Sequence, residues 1–381
     1  MQTGLEEFRA RIRADKKQGR VILIVSAILF AALILTALCV YYVTSATYQH
    51  TLYLFTPLQA FKNIYRYIRY VLSAYGIGSV GEDFWSVMSA TQAFTTGDCL
   101  MQLILTILAG AILAVSGAVY QSAMRNPMAV PTMLGVTSGI ELAKEMMIVT
   151  FGTEIFSVLG LYYTVSYLSA AAILVVVLLC GKLGGGRHMS VVDMLLAGTL
   201  INSLVNTVVN VVWDGMSETN QLLYAELSTR AYSVFSMTKS LLTLVCVCAV
   251  VLIPTFCMRF SMNTISFDNE DVRCLGIRPV LMRLYALVAG AILTAAASIH
   301  YGDIGVLALI VPHICRYVFG ADFRKVLATS AFYGAFVLTI GWFASEFAYI
   351  GYYQIPVGSI LSFIMLPVIL WFSARQRHGW N

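Results

Sequence analysis

Charge is what this sequence has least of. Asp, Glu, Lys and Arg together make up 11% of its 381 residues, where a soluble globular domain carries about 25%. With apolar residues at 59% and a mean hydropathy of +0.80, that scarcity excludes a water-solvated chain and leaves a bundle whose solvent is lipid. Cysteine pairing is absent as well. None of the eight cysteines forms a CxxC pair or a metal-ligand spacing. Cys39, Cys180, Cys246, Cys248, Cys257 and Cys315 lie within or at the ends of apolar runs, Cys274 falls in an inner loop and Cys99 sits near the outer face; all eight read as small apolar residues, and no metal site is expected. There is no G-x-x-x-x-G-K-[ST], and the glycine-rich stretch Lys182–Arg187 lacks that order, so the chain cannot hold ATP through a P-loop. H-E-x-x-H and G-x-S-x-G are missing too, and no catalytic residues are assigned. The net charge of +5 gives no nucleic-acid surface, because the basic residues sit at helix ends.

What remains is a series of apolar runs. A helix needs about 20 residues to cross the hydrocarbon core, and candidate spans fall at 21–43, 99–119, 131–150, 155–180, 191–213, 238–257, 284–300, 304–319, 327–349 and 357–373. The 284–300 and 304–319 spans are short enough to be tilted, broken or re-entrant. Orientation follows from charge. With the N-terminus inside, the outer segments hold five of the 24 basic residues, Lys62, Arg66, Arg69, Arg230 and Lys239, and Lys144 lies within a span, leaving 18 inside. This bias, and an even span count that returns Arg375 and Arg377 to the same side, place both termini in the cytoplasm of a multi-pass protein of the cell membrane.

The long outer segment from about Thr44 to Asp98 contains Phe61–Tyr70, in which Lys62, Arg66 and Arg69 recur at helical spacing. Two readings stand: an amphipathic helix held at the lipid interface, or a docking or substrate-contacting lid. A short internal echo, AGAIL at Ala109–Leu113 and again at Ala289–Leu293, is followed each time by a proline break, at Pro127 and Pro312. It fits the two-repeat architecture common in transporters.

The sharpest segment is Gly117–Gly139, GAVYQSAMRNPMAVPTMLGVTSG. Pro127 and Pro131 each remove a backbone donor and push the preceding residue away from helix. Gly135 and Gly139 allow close backbone approach, and Gln121, Arg125 and Asn126 are polar at an apolar end. Irregular backbone at membrane depth is tolerated only where protein buries it or water lines it.

This segment closely resembles the signature of FecCD-type permeases, the membrane subunits of type II ATP-binding-cassette importers for siderophores, haem and vitamin B12. Gly117, Gln121, Asn126, Pro127, Ala129, Pro131, Leu134, Gly135 and Gly139 fit the pattern, with Met128 in place of Leu. Glu270–Ile277, Gly302–Arg316 with its Pro312-His313-Ile314-Cys315-Arg316 end, Ile355–Gly358 and Leu366-Pro367 also resemble family segments. The likeness covers about 99–373. It implies an all-α polytopic fold of about ten transmembrane helices, divided as a cytoplasmic segment 1–20, a first helix and long outer segment 21–98, the permease domain 99–373 and a cytoplasmic tail 374–381.

The resemblance also implies roles. The charged inner loop 258–283, with Asp268, Glu270, Asp271, Arg273, Leu275 and Gly276, is expected to couple to the ATPase; a helical turn there would bury Val272 and Leu275. Gln121, Asn126, Pro127, Pro131, Gly135, Gly139, Pro312, His313 and Arg316 form the signature at the inner gate, His313 and Arg316 serving backbone freed by Pro312. Two departures stand out. The stretch Ala93–Leu100 lacks the family's arginines, and Glu346 stands where another is usual, so docking of a binding protein falls to Lys62, Arg66 and Arg69 or to Glu346. Glu141, Lys144 and Glu145 put charge where relatives are mostly apolar, either as a structural pair or as a lining of the substrate pathway. The implied partners are a second permease copy or paralogue, two ATPase subunits that hold ATP and Mg, and an extracytoplasmic binding protein; no cofactor is expected on this chain. The rival readings are an ion-coupled secondary transporter, which would need neither an ATPase nor the 258–283 loop, and an intramembrane enzyme.

Overall fold

Lipid offers backbone N–H and C=O groups no partner, so long apolar runs fold as helices, which satisfy those groups internally. The structure, a computed structural model, describes residues 2–44, 50–54, 56–74, 87–156, 158–184, 191–229, 234–265, 267, 269–350 and 353–377. Those residues are helical apart from two short antiparallel hairpins and the connecting turns. The chain divides into two compact units, Met1–Leu105 and Thr106–Asn381.

The first unit opens with α1 (Gln2–Cys39), whose apolar part is Gly19–Cys39. It turns into strand β1 (Val40–Thr44), which pairs with β2 (His50–Leu54), Val40 opposite Leu54 and Thr44 opposite His50. Helix α2 (Pro57–Ala74) follows. Its start is a reciprocal cap: the Thr56 N–H donates to Gln59 Oε1 at 2.9 Å and the Gln59 N–H to Thr56 Oγ1 at 3.3 Å, with proline at the first helical position, where its missing N–H has no consequence. Helix α3 (Val87–Ala123) begins well before the apolar run that announced it. The Tyr67 ring occupies the space a side chain at Gly97 would need, and the Cys99 thiol donates to the Ala37 carbonyl at 3.3 Å.

The second unit continues α3 and adds α4 (Val136–Phe151), α5 (Leu159–Gly184), α6 (Val191–Asp214), α7 (Glu218–Thr229), α8 (Val234–Val247), α9 (Ile253–Cys257), α10 (Arg259–Thr264), α11 (Asn269–Cys274), α12 (Pro279–Tyr301), α13 (Gly305–Phe319), α14 (Phe323–Ser345) and α15 (Val357–Arg377). Strands β3 (Tyr349–Ile350) and β4 (Tyr353–Gln354) form the second hairpin. A π turn over Cys248–Leu252 joins α8 to α9, with the Ile253 N–H reaching back to the Cys248 carbonyl just ahead of Pro254, so the helix absorbs the proline by a local change of winding.

The core is held by close helix approach at small residues, as in other membrane bundles. Gly110 of α3 meets Gly334 of α14 backbone to backbone, and Gly290 of α12 lies under the Tyr120 ring of α3. Both glycines of the AGAIL echo are therefore contact points. The Tyr120 hydroxyl donates to the Leu287 carbonyl at 2.9 Å and Thr294 Oγ1 to Ser116 Oγ at 2.9 Å, stitching α3 to α12. On the periphery the pattern inverts: Leu200, Leu204 and Val211 of α6 and Leu168 of α5 are exposed, as expected for lipid contact rather than water.

Among the described residues, seven helices are long and apolar enough to cross a membrane, and Gly305–Phe319 and Val357–Leu370 are shorter apolar helices. Ten crossings would require counting both of these and α4, whose 16 residues include Glu141, Lys144 and Glu145; helix length alone does not supply that number. The 284–300 span is not short, being part of the 23-residue α12. The 304–319 span is: α13 has 15 residues with Pro312 inside it.

Candidate coupling and translocation site

After Ala123 the chain leaves the helix through Arg125, which has φ 50°, a left-handed conformation uncommon for a residue with a Cβ. Asn126 then accepts the Met128 N–H on its side-chain oxygen at 2.9 Å, and its carbonyl accepts the Ala129 N–H at 3.1 Å, turning the chain about Pro127. A 3-10 turn at Pro131–Leu134 is closed by the Gly135 N–H on the Thr132 carbonyl at 3.1 Å, with Gly135 at φ 75°. Gly139, in the first turn of α4, faces the Ser169 carbonyl and Ile173 of α5. The expected broken element is thus present, wedged against α5 and α6.

Gln121 is the hub of the buried end of α3. Its amide nitrogen donates to the Leu309 carbonyl of α13 at 3.1 Å, and its amide oxygen accepts from the Arg316 guanidinium, which also reaches the Ala118 carbonyl at 3.4 Å. Arg316 therefore serves α3, not the α13 backbone that Pro312 frees, as the sequence had suggested; His313 is half-buried beside it. Pro312 has no N–H for the Ala308 carbonyl four residues earlier. Gly117 presses against that carbonyl so closely that any Cβ there would overlap it.

The same end of α3 grips the following loop. Ser122 Oγ donates to the Met262 carbonyl at 3.2 Å, and the Arg125 guanidinium donates through Nε to Ile265 at 3.1 Å and through a terminal nitrogen to Phe267. Beyond it, α11 ends in a paired turn: the Ile277 N–H bonds to Val272 at 3.3 Å and the Gly276 N–H to Arg273 at 2.9 Å, with Gly276 at φ 75°. This is the six-to-one and five-to-two pairing of a Schellman cap, which needs glycine at the left-handed position. Val272 is fully buried, but Leu275 is 62% exposed. The expectation that this turn buries both is corrected: the cap rotates Leu275 outward, and the residues that follow, Gly276–Leu281, line with Arg273 a depression of about 540 Å³ in which Val280 and Leu281 are exposed. Glu270 and Asp271 lie exposed on the first turn of α11, whereas Asp268 lies outside the described residues.

The charged trio on α4 goes inward. Lys144 is 2% exposed, its ammonium 4.5 Å from the centroid of the Tyr224 ring of α7, a cation–π contact that partly replaces lost solvation. Glu145 is 1% exposed and its Oε2 accepts no hydrogen bond among the described residues; Glu141 is half-buried. Nearby on α5 and α12, the Tyr163 ring meets His300 edge-on at 5.7 Å, and its hydroxyl pairs with Ser240 Oγ at 2.5 Å. The result is a buried cluster of polar and aromatic side chains within an apolar bundle. Among the residues expected at a docking face, Lys62, Arg66 and Arg69 are exposed on α2, but Glu346 is buried at 5% exposure at the end of α14, so it does not offer its charge to an outer surface.

Ser122 and Arg125 as a clasp on the loop are what sequence reading missed. Arg125 was visible as a polar residue at an apolar end, but nothing in the sequence fixes its backbone angle or its partners 140 residues away.

Long apolar helices joined through glycine contacts, a proline-broken element between α3 and α4, and charged side chains kept inside make this a polytopic helical membrane bundle. The chain belongs to the FecCD transport family, whose sequence profile matches residues 70–375. It is 30% identical over 292 residues to an iron chelatin transport system permease protein of Helicobacter pylori, covering 73% of this chain and 81% of that one. The hemin transport system permease protein of Yersinia pestis is 30% identical over 284 residues, 73% of this chain and 82% of its own. The cobalamin import system permease protein of Halobacterium salinarum is 29% identical over 274 residues, 71% of each. The fold is that of a solved metal-chelate type ABC transporter in an inward-facing conformation, with a TM-score of 0.60 at 21% identity over 82% of this chain and 97% of that one.

Proposed function

We propose that this chain is the membrane-spanning subunit of an ATP-driven importer for a metal chelate of the iron-siderophore, haem or cobalamin class. It works with a second copy or a paralogue, two ATPase subunits that supply ATP and Mg, and an extracytoplasmic binding protein that delivers the substrate, both of its own termini lying in the cytoplasm. One observation supports this reading above the others: at and just past the end of the helix that carries the gate signature, Ser122 holds the Met262 carbonyl of α10 and Arg125 holds the Ile265 and Phe267 carbonyls between α10 and α11. A push on that loop moves the gate helix directly, and through Gln121 and Arg316 it moves α13 as well. Exposed Leu275, with exposed Val280 and Leu281 close by in sequence, is the surface on which an ATPase subunit would push, and the buried Lys144–Glu145 pair lies along the substrate's route. The test uses the full transporter in proteoliposomes. Leu275→Asp keeps the cap, since the side chain is exposed, and should abolish ATP-driven uptake while ATP hydrolysis continues. Normal uptake by that variant, or uptake with no ATPase present, would sink the reading.

A further inference from the structure

We propose that α2 is an interfacial helix that binds anionic phospholipid headgroups. Leu58, Phe61, Tyr65, Ile68 and Leu72 are all between 41 and 65% exposed, and they recur at alternating spacings of three and four residues. At about 100° per residue they share one arc of about 80°. Lys62, Arg66 and Arg69, all exposed, fall in the adjoining arc of about 60°. Ala60, Asn63 and Tyr67, each 2% exposed, occupy the far side and face the protein. The helix thus has three faces: one buried, one apolar and bare, one basic.

Its level is fixed by its own unit. The Tyr67 ring packs where Gly97 has no side chain, and two residues on, Cys99 donates to the carbonyl of Ala37, close to the end of the apolar Gly19–Cys39 span. The helix therefore lies at the depth where hydrocarbon gives way to headgroups. A row of five large apolar side chains is unfavourable in water, and three cations beside it are unfavourable in hydrocarbon. At the boundary both arcs are satisfied at once: the apolar arc enters the acyl region while the basic arc meets phosphates, and Tyr65 sits where amphipathic rings concentrate. A water-soluble partner with an acidic face would satisfy only the basic arc. The inference is independent of the substrate proposed above.

The test places the full chain in nanodiscs with and without phosphatidylglycerol. Phe61→Trp and Tyr65→Trp are each compared with the parent, whose five tryptophans set the background. The added emission should be quenched by about twofold or more when the acyl chains are brominated. Lys62→Gln, Arg66→Gln and Arg69→Gln combined should lower the phosphatidylglycerol retained per chain in detergent by about half or more, and Arg66→Lys with Arg69→Lys should restore it. Absence of quenching, or unchanged lipid retention in the triple variant, overturns the proposal. So does quenching relieved by addition of the extracytoplasmic binding protein, which would assign α2 to docking.

Discussion

Arg125 combines two demands that conflict in most residues. Its φ of 50° would suit glycine, yet its guanidinium holds the Ile265 and Phe267 carbonyls. The left-handed conformation costs about 1–2 kcal/mol, and hydrogen bonds to a charged donor return about 1.5–3 kcal/mol each. Arg125→Gly relieves the backbone but frees the loop, so it should insert normally and lose ATP-driven uptake by about tenfold or more, the equivalent of one such bond. Uptake in proteoliposomes, normalised to inserted protein, checks this, and wild-type uptake would show that the clasp carries no motion. Gly135 has φ 75° with Ile173 2.8 Å from where a Cβ would stand, and here backbone and space agree on glycine. Gly135→Leu adds both strain and overlap, and should lower the yield of monodisperse protein on size exclusion together with uptake; a wild-type elution profile would make the segment an ordinary loop.

Two elements, one long and one short, owe an end to local chemistry legible at this scale. Helix α14 starts at Asp322, whose carboxylate accepts the Arg324 N–H at 3.1 Å and pairs with the Arg324 guanidinium at 2.8 Å. That side-chain bond holds the Asp322 carboxyl below the usual carboxylate range. Arg324 also lies 5.1 Å from the Phe260 ring centroid, and the Phe323 N–H donates to Asn263 Oδ1 at 3.0 Å, so the start of α14 and α10 are joined. The sign is that of a depressed acid: the cap is in full force above the unfolded pKa of about 3.9 and is lost as pH falls through the lower folded value. The pair is exposed and screened, so the cap itself, about 1 kcal/mol, is the larger part. Hydrogen exchange at Lys325 and Val326, corrected for intrinsic rates, should therefore quicken several-fold in Asp322→Ala at neutral pH and show no difference from wild type well below pH 3. An equal difference at both pH values would rule out the ionised cap. In α11 the Schellman turn decides which apolar side chain is hidden, Val272, and which is shown, Leu275.

For the whole molecule, the positive-inside bias predicts that the N-terminus and the Arg375–Arg377 tail share the cytoplasmic side. Fluorescent-protein and alkaline-phosphatase fusions at each end should report one side for both, and opposite sides would mean an odd number of crossings. That number turns on α4. A 16-residue helix is about 24 Å long, short of the hydrocarbon thickness, and Lys144 reaches Tyr224 instead of a helix end. The helix carries its charge in the protein interior, which length and hydropathy cannot register.

The sequence by itself determined the class of protein, most of the helices and the family. Scarce charge and long apolar runs leave lipid few alternatives, and the Gly117–Gly139 signature is a property of residue order. It also located the amphipathic helix around residues 61–70 and the break near Pro127, because periodicity and proline act locally. The clasp of Arg125 on the loop, the Gln121–Arg316 latch, the inward turn of Glu346 and the outward turn of Leu275 were decided by tertiary structure alone. Each depends on a partner far along the chain or on a backbone angle that several residue types tolerate, and hydropathy records neither.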